Sequence, residues 1–223
     1  MYCKIFIILI SIAFLSCDKE CEKVMGTFSN GQVRTMRIYP SCSDTLTYTE
    51  QSFYDNGQIG TESFQTPDKD YIELKSWYKN GQQSALWNEK NGQEHGHILC
   101  WHENGSKKKE GFLNEGRETG IHKEWFDNGK FSQLGKMIDN KKDSVWTYWY
   151  ENGRIKTIET YERGMLSGQT RVFGTNGSIE VETFYKDGKK DGEYKQWDKG
   201  GKLIKHYILA MDSMRKVIVD VKD

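Results

Sequence analysis

The chain has 223 residues with 32 basic and 32 acidic side chains, and this zero formal charge argues against sequence-blind nucleic-acid binding, which needs surplus Lys and Arg for phosphate. With 36% hydrophobic residues, 12 Tyr, 10 Phe and 7 Trp but only 2 Pro, it has the composition of a folded, aromatic-rich β protein. A disordered chain or a helical bundle would not look like this.

The chain opens with "MYCK", an apolar run "IFIILISIAFL" from Ile5 to Leu15, then "SC" and the charged "DKECEK". That is the layout of a secretion signal, too short to cross about 30 Å of hydrocarbon as a helix. Cys17, placed directly after the small Ser16, resembles the lipobox of bacterial lipoproteins, although Phe14 and Leu15 stand where that pattern prefers Leu and a small residue. The resemblance implies cleavage after Ser16 and a lipid on Cys17, and hence a protein held in the cell envelope at an outer membrane or cell surface. An ordinary signal peptide and an uncleaved anchor are the competing readings. Loss of residues 1–16 removes Lys4 alone from the charge count, so the mature chain stays nearly neutral. Export would place Cys21, Cys42 and Cys100 in an oxidising compartment. Cys21 and Cys42 close a short loop and are the expected pair; Cys100 reads as a lone thiol within a strand.

Periodicity dominates the remainder. "FSNG", "FYDNG", "WYKNG", "WHENG", "WFDNG", "WYENG", "FGTNG" and "WDKGG" end on Gly31, Gly57, Gly81, Gly105, Gly129, Gly153, Gly177 and Gly201. After a slightly longer first interval the beat does not slip, and the repeat unit is about 24 residues. A second turn recurs in each unit, as in "NEGRETG", "ERGMLSG" and "KDGKKDG", with Asn140 and Ser144 replacing its two glycines in one unit. Asn tolerates a left-handed backbone, so that change is mild, whereas Ser144 predicts a local distortion. Between turns lie runs of about seven to nine residues rich in Trp, Tyr, Val, Ile and Thr, of strand length and composition. Reading Asn-Gly as a two-residue type I′ turn pairs Tyr54 with Ile59, Phe126 with Phe131 and Tyr150 with Ile155, with the Trp residues on the opposite face.

The "[WF]-[YFH]-x-N-G" phrase followed by "Y-x-x-G-x-x-x-G" resembles the MORN repeat in its bacterial variant form, found in proteins described as YwqK-family antitoxins. It covers roughly residues 46–209. The resemblance implies an all-β fold: one elongated, twisted antiparallel sheet of tandem hairpins, each of about 24 residues. The expected organisation is a signal peptide at 1–16, a linker and degenerate first repeat at 17–45, the repeat domain at 46–209 and a C-terminal cap at 210–223, with the strand-like "RKVIVDV" covering the last edge.

Chemistry is harder to find. His97 and His102 fall on opposite faces, and no carboxylate pair stands beside any His at a recognisable spacing, so neither a metal site nor a catalytic residue is expected. Carboxylates sit in turns or alternate with Lys, and no nucleophile elbow, Walker loop or dinucleotide fingerprint is present. No cofactor is implied, and the chain reads as a non-enzyme.

Two ladders recur along the repeats. Phe53, Trp77, Trp101, Trp125, Trp149, Phe173 and Trp197 form the uniform one, expected to be the packing core. Tyr54, Tyr78, His102, Phe126 and Tyr150 form the other, extended locally by Tyr148, and are the candidate binding face; capping of the sheet is the alternative. The expectation is a monomeric binding scaffold that holds a protein partner along this face and meets the membrane through its N-terminal lipid. An immunity-type antitoxin acting on a toxin in the envelope is the alternative, and lipid or glycan binding a further one; the neutral chain argues against anionic lipid.

Overall fold

The computed structural model describes residues 19–67 and 72–220. Cys3, the apolar run and Cys17 lie outside the described residues. All of the regular structure described is β: a single sheet of 19 strands in which successive strands pair antiparallel.

Its hairpins follow the repeat. β1 (Cys21–Thr27) and β2 (Val33–Tyr39) flank the first turn, β3 (Tyr48–Phe53) and β4 (Ile59–Gln65) the second, β5 (Ile72–Trp77) and β6 (Gln83–Lys90) the third. β7 (Gln93–Glu94) and β8 (Gly96–Trp101) are interrupted at His95, and β9 (Lys107–Asn114), β10 (Arg117–Trp125), β11 (Phe131–Ile138), β12 (Lys141–Trp149) and β13 (Ile155–Glu162) follow. β14 (Met165–Leu166) and β15 (Gly168–Phe173) repeat the interruption, then come β16 (Ile179–Lys186), β17 (Lys189–Trp197), β18 (Leu203–Ala210) and β19 (Ser213–Asp220). β1 and β2 continue the sheet, and a disulfide joins Cys21 to Cys42 across a Cα separation of 5.1 Å. Among the described residues β19 pairs only with β18.

The Asn-Gly turn differs from the type I′ expected of it. At the Asn-Gly that closes each recurring aromatic phrase the glycine has positive φ (Gly57 84°, Gly129 80°), but the Asn does not, so the turn is not type I′. Gly57 N–H donates to Tyr54 O at 2.9 Å and Tyr54 N–H to Gln58 O at 2.8 Å, which is a type I turn followed by a left-handed glycine bulge. The register therefore moves by one: Phe53 faces Ile59, Trp125 faces Phe131 and Trp149 faces Ile155, in place of the Tyr54, Phe126 and Tyr150 pairings. The type I′ geometry belongs to the second turn, where both central residues have positive φ at Asn91-Gly92, Glu115-Gly116, Asp139-Asn140, Arg163-Gly164 and Asp187-Gly188. Ser144 is no distortion. It adopts φ 61°, the same left-handed conformation as Gly120 (80°) and Gly168 (112°) at the equivalent positions.

The register also separates the faces. Ile72, Leu113, His122, Trp146, Thr170 and Thr183, the most buried side chains, all fall on one face, here called the packed face. Trp146 is 1% exposed while its neighbour Val145 on the opposite face is 54% exposed. Trp146 is accommodated because it lies over Gly135, and its indole Nε1 donates to Lys136 O at 3.0 Å. The uniform ladder from Phe53 to Trp197 is consequently not the core. Its rings lie on the other face, the stripe face, and each is only half-buried.

Candidate functional site

The recurring phrase is first of all a staple between repeats. Tyr54, Tyr78 and Tyr150 donate their hydroxyls to the carbonyls of Trp77, Trp101 and Phe173, each at 2.8 Å, and His102 Nε2 lies 2.9 Å from Trp125 O. Each bond reaches 23 residues ahead, into the next unit. The turn asparagines do the same with both ends of the amide. Asn104 Oδ1 accepts from Ser106 N–H at 2.9 Å inside its own turn, while its Nδ2 donates to Asp127 O at 2.8 Å in the following one. Asn56, Asn80, Asn128 and Asn152 repeat the arrangement. Such bonds satisfy carbonyls at the end of each strand, where the ladder has no further partner to offer. Phe126, without a hydroxyl, is the one aromatic rung of this row that cannot make the bond. Of the candidate binding residues, then, Tyr54, Tyr78, His102 and Tyr150 are tied by their polar tips into the scaffold, and all are half-buried.

The stripe face is the freer aromatic surface. Phe131 stacks on Trp125 with ring centroids 5.2 Å apart and approaches Trp149 at 5.6 Å. The bulge that shifts the register brings Trp125 and Phe131 onto one side, a placement strict alternation would not give. Phe131 is 39% exposed and Ile155, opposite Trp149, 37%, so apolar surface remains open around this stack, and Ile121, 54% exposed, lies farther along the same face. A hollow lined by Phe131, Trp149 and the glycine turns at Gly129 and Gly153 borders it.

On the packed face, His122 is held between two carboxylates. Nδ1 lies 2.5 Å from Glu118 Oε1 and Nε2 lies 3.0 Å from Glu124 Oε1, with the ring 5.4 Å from that of Trp146. Burial works against the charged imidazole, but the two carboxylates outweigh it and raise its pKa above the ordinary value. Burial likewise opposes ionisation of Glu118, yet His122 and Lys109, 3.3 Å away, bring its pKa below the usual carboxylate range. The hydrogen bond to His122 lowers Glu124 too. Because the carboxylates occupy opposite ring nitrogens, they do not converge on one point, and the 5% exposed ring leaves no room for a substrate. The sequence offered no recognisable carboxylate spacing beside a His, yet the structure sets Glu118 and Glu124 against His122. Residues 118, 122 and 124 share the parity of one strand face, but four residues of extended strand would span about 13 Å. The left-handed Gly120 between them interrupts the regular strand, with a register shift against β9 between Thr119 and Lys123, and spacing alone does not show that.

Tyr148 stands apart from the stapling row. It stacks near Trp146 at 6.2 Å and accepts a hydrogen bond from Lys142 Nζ at 2.5 Å. The Lys142 ammonium sits 4.6 Å from the Trp146 ring, 4.9 Å from Tyr148 and 5.4 Å from Tyr161. Burial, with Tyr161 and Glu159 adding to it, pushes the Tyr148 phenol well above its ordinary range, and burial and Glu159 push Tyr161 to about 12. Cys100 is a half-buried thiol whose pKa burial raises.

No curated protein matches the chain at a significant level. Residues 142–163, from Lys142 through the "WYENG" turn to the second turn, match the family model described as MORN repeat variant. In that stretch the chain is similar to a MORN repeat variant, and the remaining units stand in phase with it as successive antiparallel hairpins.

Proposed function

We propose that this protein is a non-enzymatic binding scaffold that holds a protein partner against its stripe face and is tethered to the cell envelope by a lipid on Cys17. One observation carries the reading: the Trp125–Phe131–Trp149 stack stays partly open beside exposed Ile155, with Ile121 and Val145 exposed farther along the same face, although a packed face was available to bury aromatic side chains. Rigid aromatic groups on a flat, repeat-built surface are the usual anchors of protein recognition. The stapled tyrosines fix the repeat-to-repeat geometry that such a surface needs, and so support the partner face without being it.

The test is photocrosslinking in native envelope with a crosslinker placed at Val145, followed by pull-down. Wild-type protein and a Tyr78→Phe variant are expected to capture the same partner, and Phe131→Ser with Ile155→Ser to lose it while keeping the β spectrum. Equal capture by all forms would overturn the assignment of the face. Labelling with an alkyne fatty acid, lost in Cys17→Ser, tests the tether separately.

A further inference from the structure

The packed face carries two hollows in corresponding places, both built of lysine and tyrosine. The first, of about 390 Å³, is lined by Lys142, Tyr148, Lys156, Thr157, Glu159 and Tyr161. The second, of about 320 Å³, is lined by Lys190, Tyr194, Lys205, Tyr207, Leu209 and Asp212. Lys142 and Lys190 stand at the same position of the repeat, two units apart. Each rests on aromatic rings, Lys190 at 5.1 Å from Tyr194, and Tyr194 in turn stacks on Tyr207 at 6.0 Å.

The charges in these hollows are unbalanced. Lys75, Lys107, Lys109, Lys123 and Lys195 each have a carboxylate within 4 Å. Among the described residues, Lys142, Lys156, Lys190 and Lys205 have none. The single acid of each hollow is already engaged: Glu159 accepts from the Tyr161 hydroxyl at 2.7 Å, and Asp212 accepts from Lys190 N–H at 2.9 Å. By its lining each hollow thus holds two lysines against one acid, beside phenols and, in the first, a threonine hydroxyl; Asp220, opposite Lys205 in the register, stands at the border of the second.

We propose that the two hollows are paired subsites for one acidic polysaccharide chain, a polymer of uronic-acid type, lying across the packed face. The ladder from β12 through β13, β15 and β16 to β17 has four steps, which at about 4.8 Å each sets the subsites roughly 19 Å apart on one face. The lysines meet carboxylates, the tyrosine rings meet the apolar faces of the sugars, and the phenols and Thr157 meet ring hydroxyls. An acidic peptide fits less well. The sheet's own N–H and C=O groups are consumed in its ladders, so a peptide lying on the face would leave its backbone unpaired, whereas a sugar carries its polar groups in hydroxyls that side chains reach. This proposal uses the face opposite the protein-partner stripe and stands or falls independently of it.

The test is calorimetric titration of the full chain in detergent with hexagalacturonate, digalacturonate, neutral cellohexaose and a hexaglutamate peptide. Hexagalacturonate is expected to bind, more weakly as salt rises, with digalacturonate far weaker because it cannot engage both subsites. Lys142→Gln with Lys156→Gln, or Lys190→Gln with Lys205→Gln, should each weaken binding about tenfold or more, and the four together abolish it. Lys156→Gln alone perturbs an exposed residue and retains the fold, so it keeps the test decisive if Lys142 proves structural. Lys136→Gln with Arg171→Gln, on the opposite face, should bind as wild type does. Absence of hexagalacturonate binding, unchanged binding in the lysine variants, equal loss in the opposite-face control, or hexaglutamate binding as tightly would each overturn the proposal.

Discussion

Gly135→Ala isolates the packing that holds the middle of the sheet. Gly135 has no positive φ to protect, and in an ordinary strand the change to Ala would be favourable by about 0.5–1 kcal/mol. Here the added Cβ would stand 2.5 Å from Trp146 Cγ and closer still to Cδ2 and Cε2, against the roughly 3.5–4.0 Å at which carbon atoms rest. The indole must lift by an ångström or more. Overpacking of that kind costs about 1–3 kcal/mol. Lifting also breaks the Trp146 Nε1 to Lys136 O bond and leaves a buried donor unpaired, worth a further ~1–3 kcal/mol. Net of the backbone gain, we expect a loss of about 2–4 kcal/mol. Native-state hydrogen exchange is the suitable assay, because a repeat array need not unfold in one step and exchange assigns the loss to β10–β12. In a Trp146→Val background the same substitution should cost less than about 1 kcal/mol, since the obstruction has gone. A neutral Gly135→Ala, or equal cost in both backgrounds, would refute the reasoning.

Ser144→Gly should stabilise the protein by about 0.5–1 kcal/mol in urea denaturation, because Ser144 holds a left-handed φ of 61° that glycine adopts freely. Phe126→Tyr should gain roughly 0.5–1.5 kcal/mol by completing the missing staple to Trp149 O, and Tyr78→Phe should lose a similar amount; thermal melts of the pair check both signs. His122 has its folded pKa raised above 6.5, so its stabilisation is full below that value and is lost as pH rises through the raised one. Glu118 and Glu124 are lowered from 4.5, so theirs is full above 4.5 and is lost as pH falls through the depressed values. The stability contributed by this trio should therefore peak between 4.5 and 6.5, and His122→Gln should flatten the alkaline decline in a stability-against-pH series.

Much of the fold was legible because turns punctuate it so regularly. A backbone that must reach positive φ at fixed intervals recruits Gly and Asn there, and the intervening strand-length segments can only run back and forth. The turn type was not legible. An Asn-Gly pair suits the last two positions of a type I turn with a glycine bulge as well as it suits type I′, and forward bonds such as that of Asn104 to Asp127 O exist only once the repeats are stacked. That one-residue shift moved Phe131 beside Trp125.

By itself the sequence determined that the chain is a tandem array of antiparallel hairpins, since local turn chemistry and strand propensity are written residue by residue. Which face of that array is buried was decided only by tertiary structure. Alternation says that Val145 and Trp146 point apart, but not which of them meets Gly135 across the neighbouring strand. The same holds for His122 and the carboxylates of Glu118 and Glu124, joined across a strand interruption at Gly120 whose effect exists only once the strands have paired.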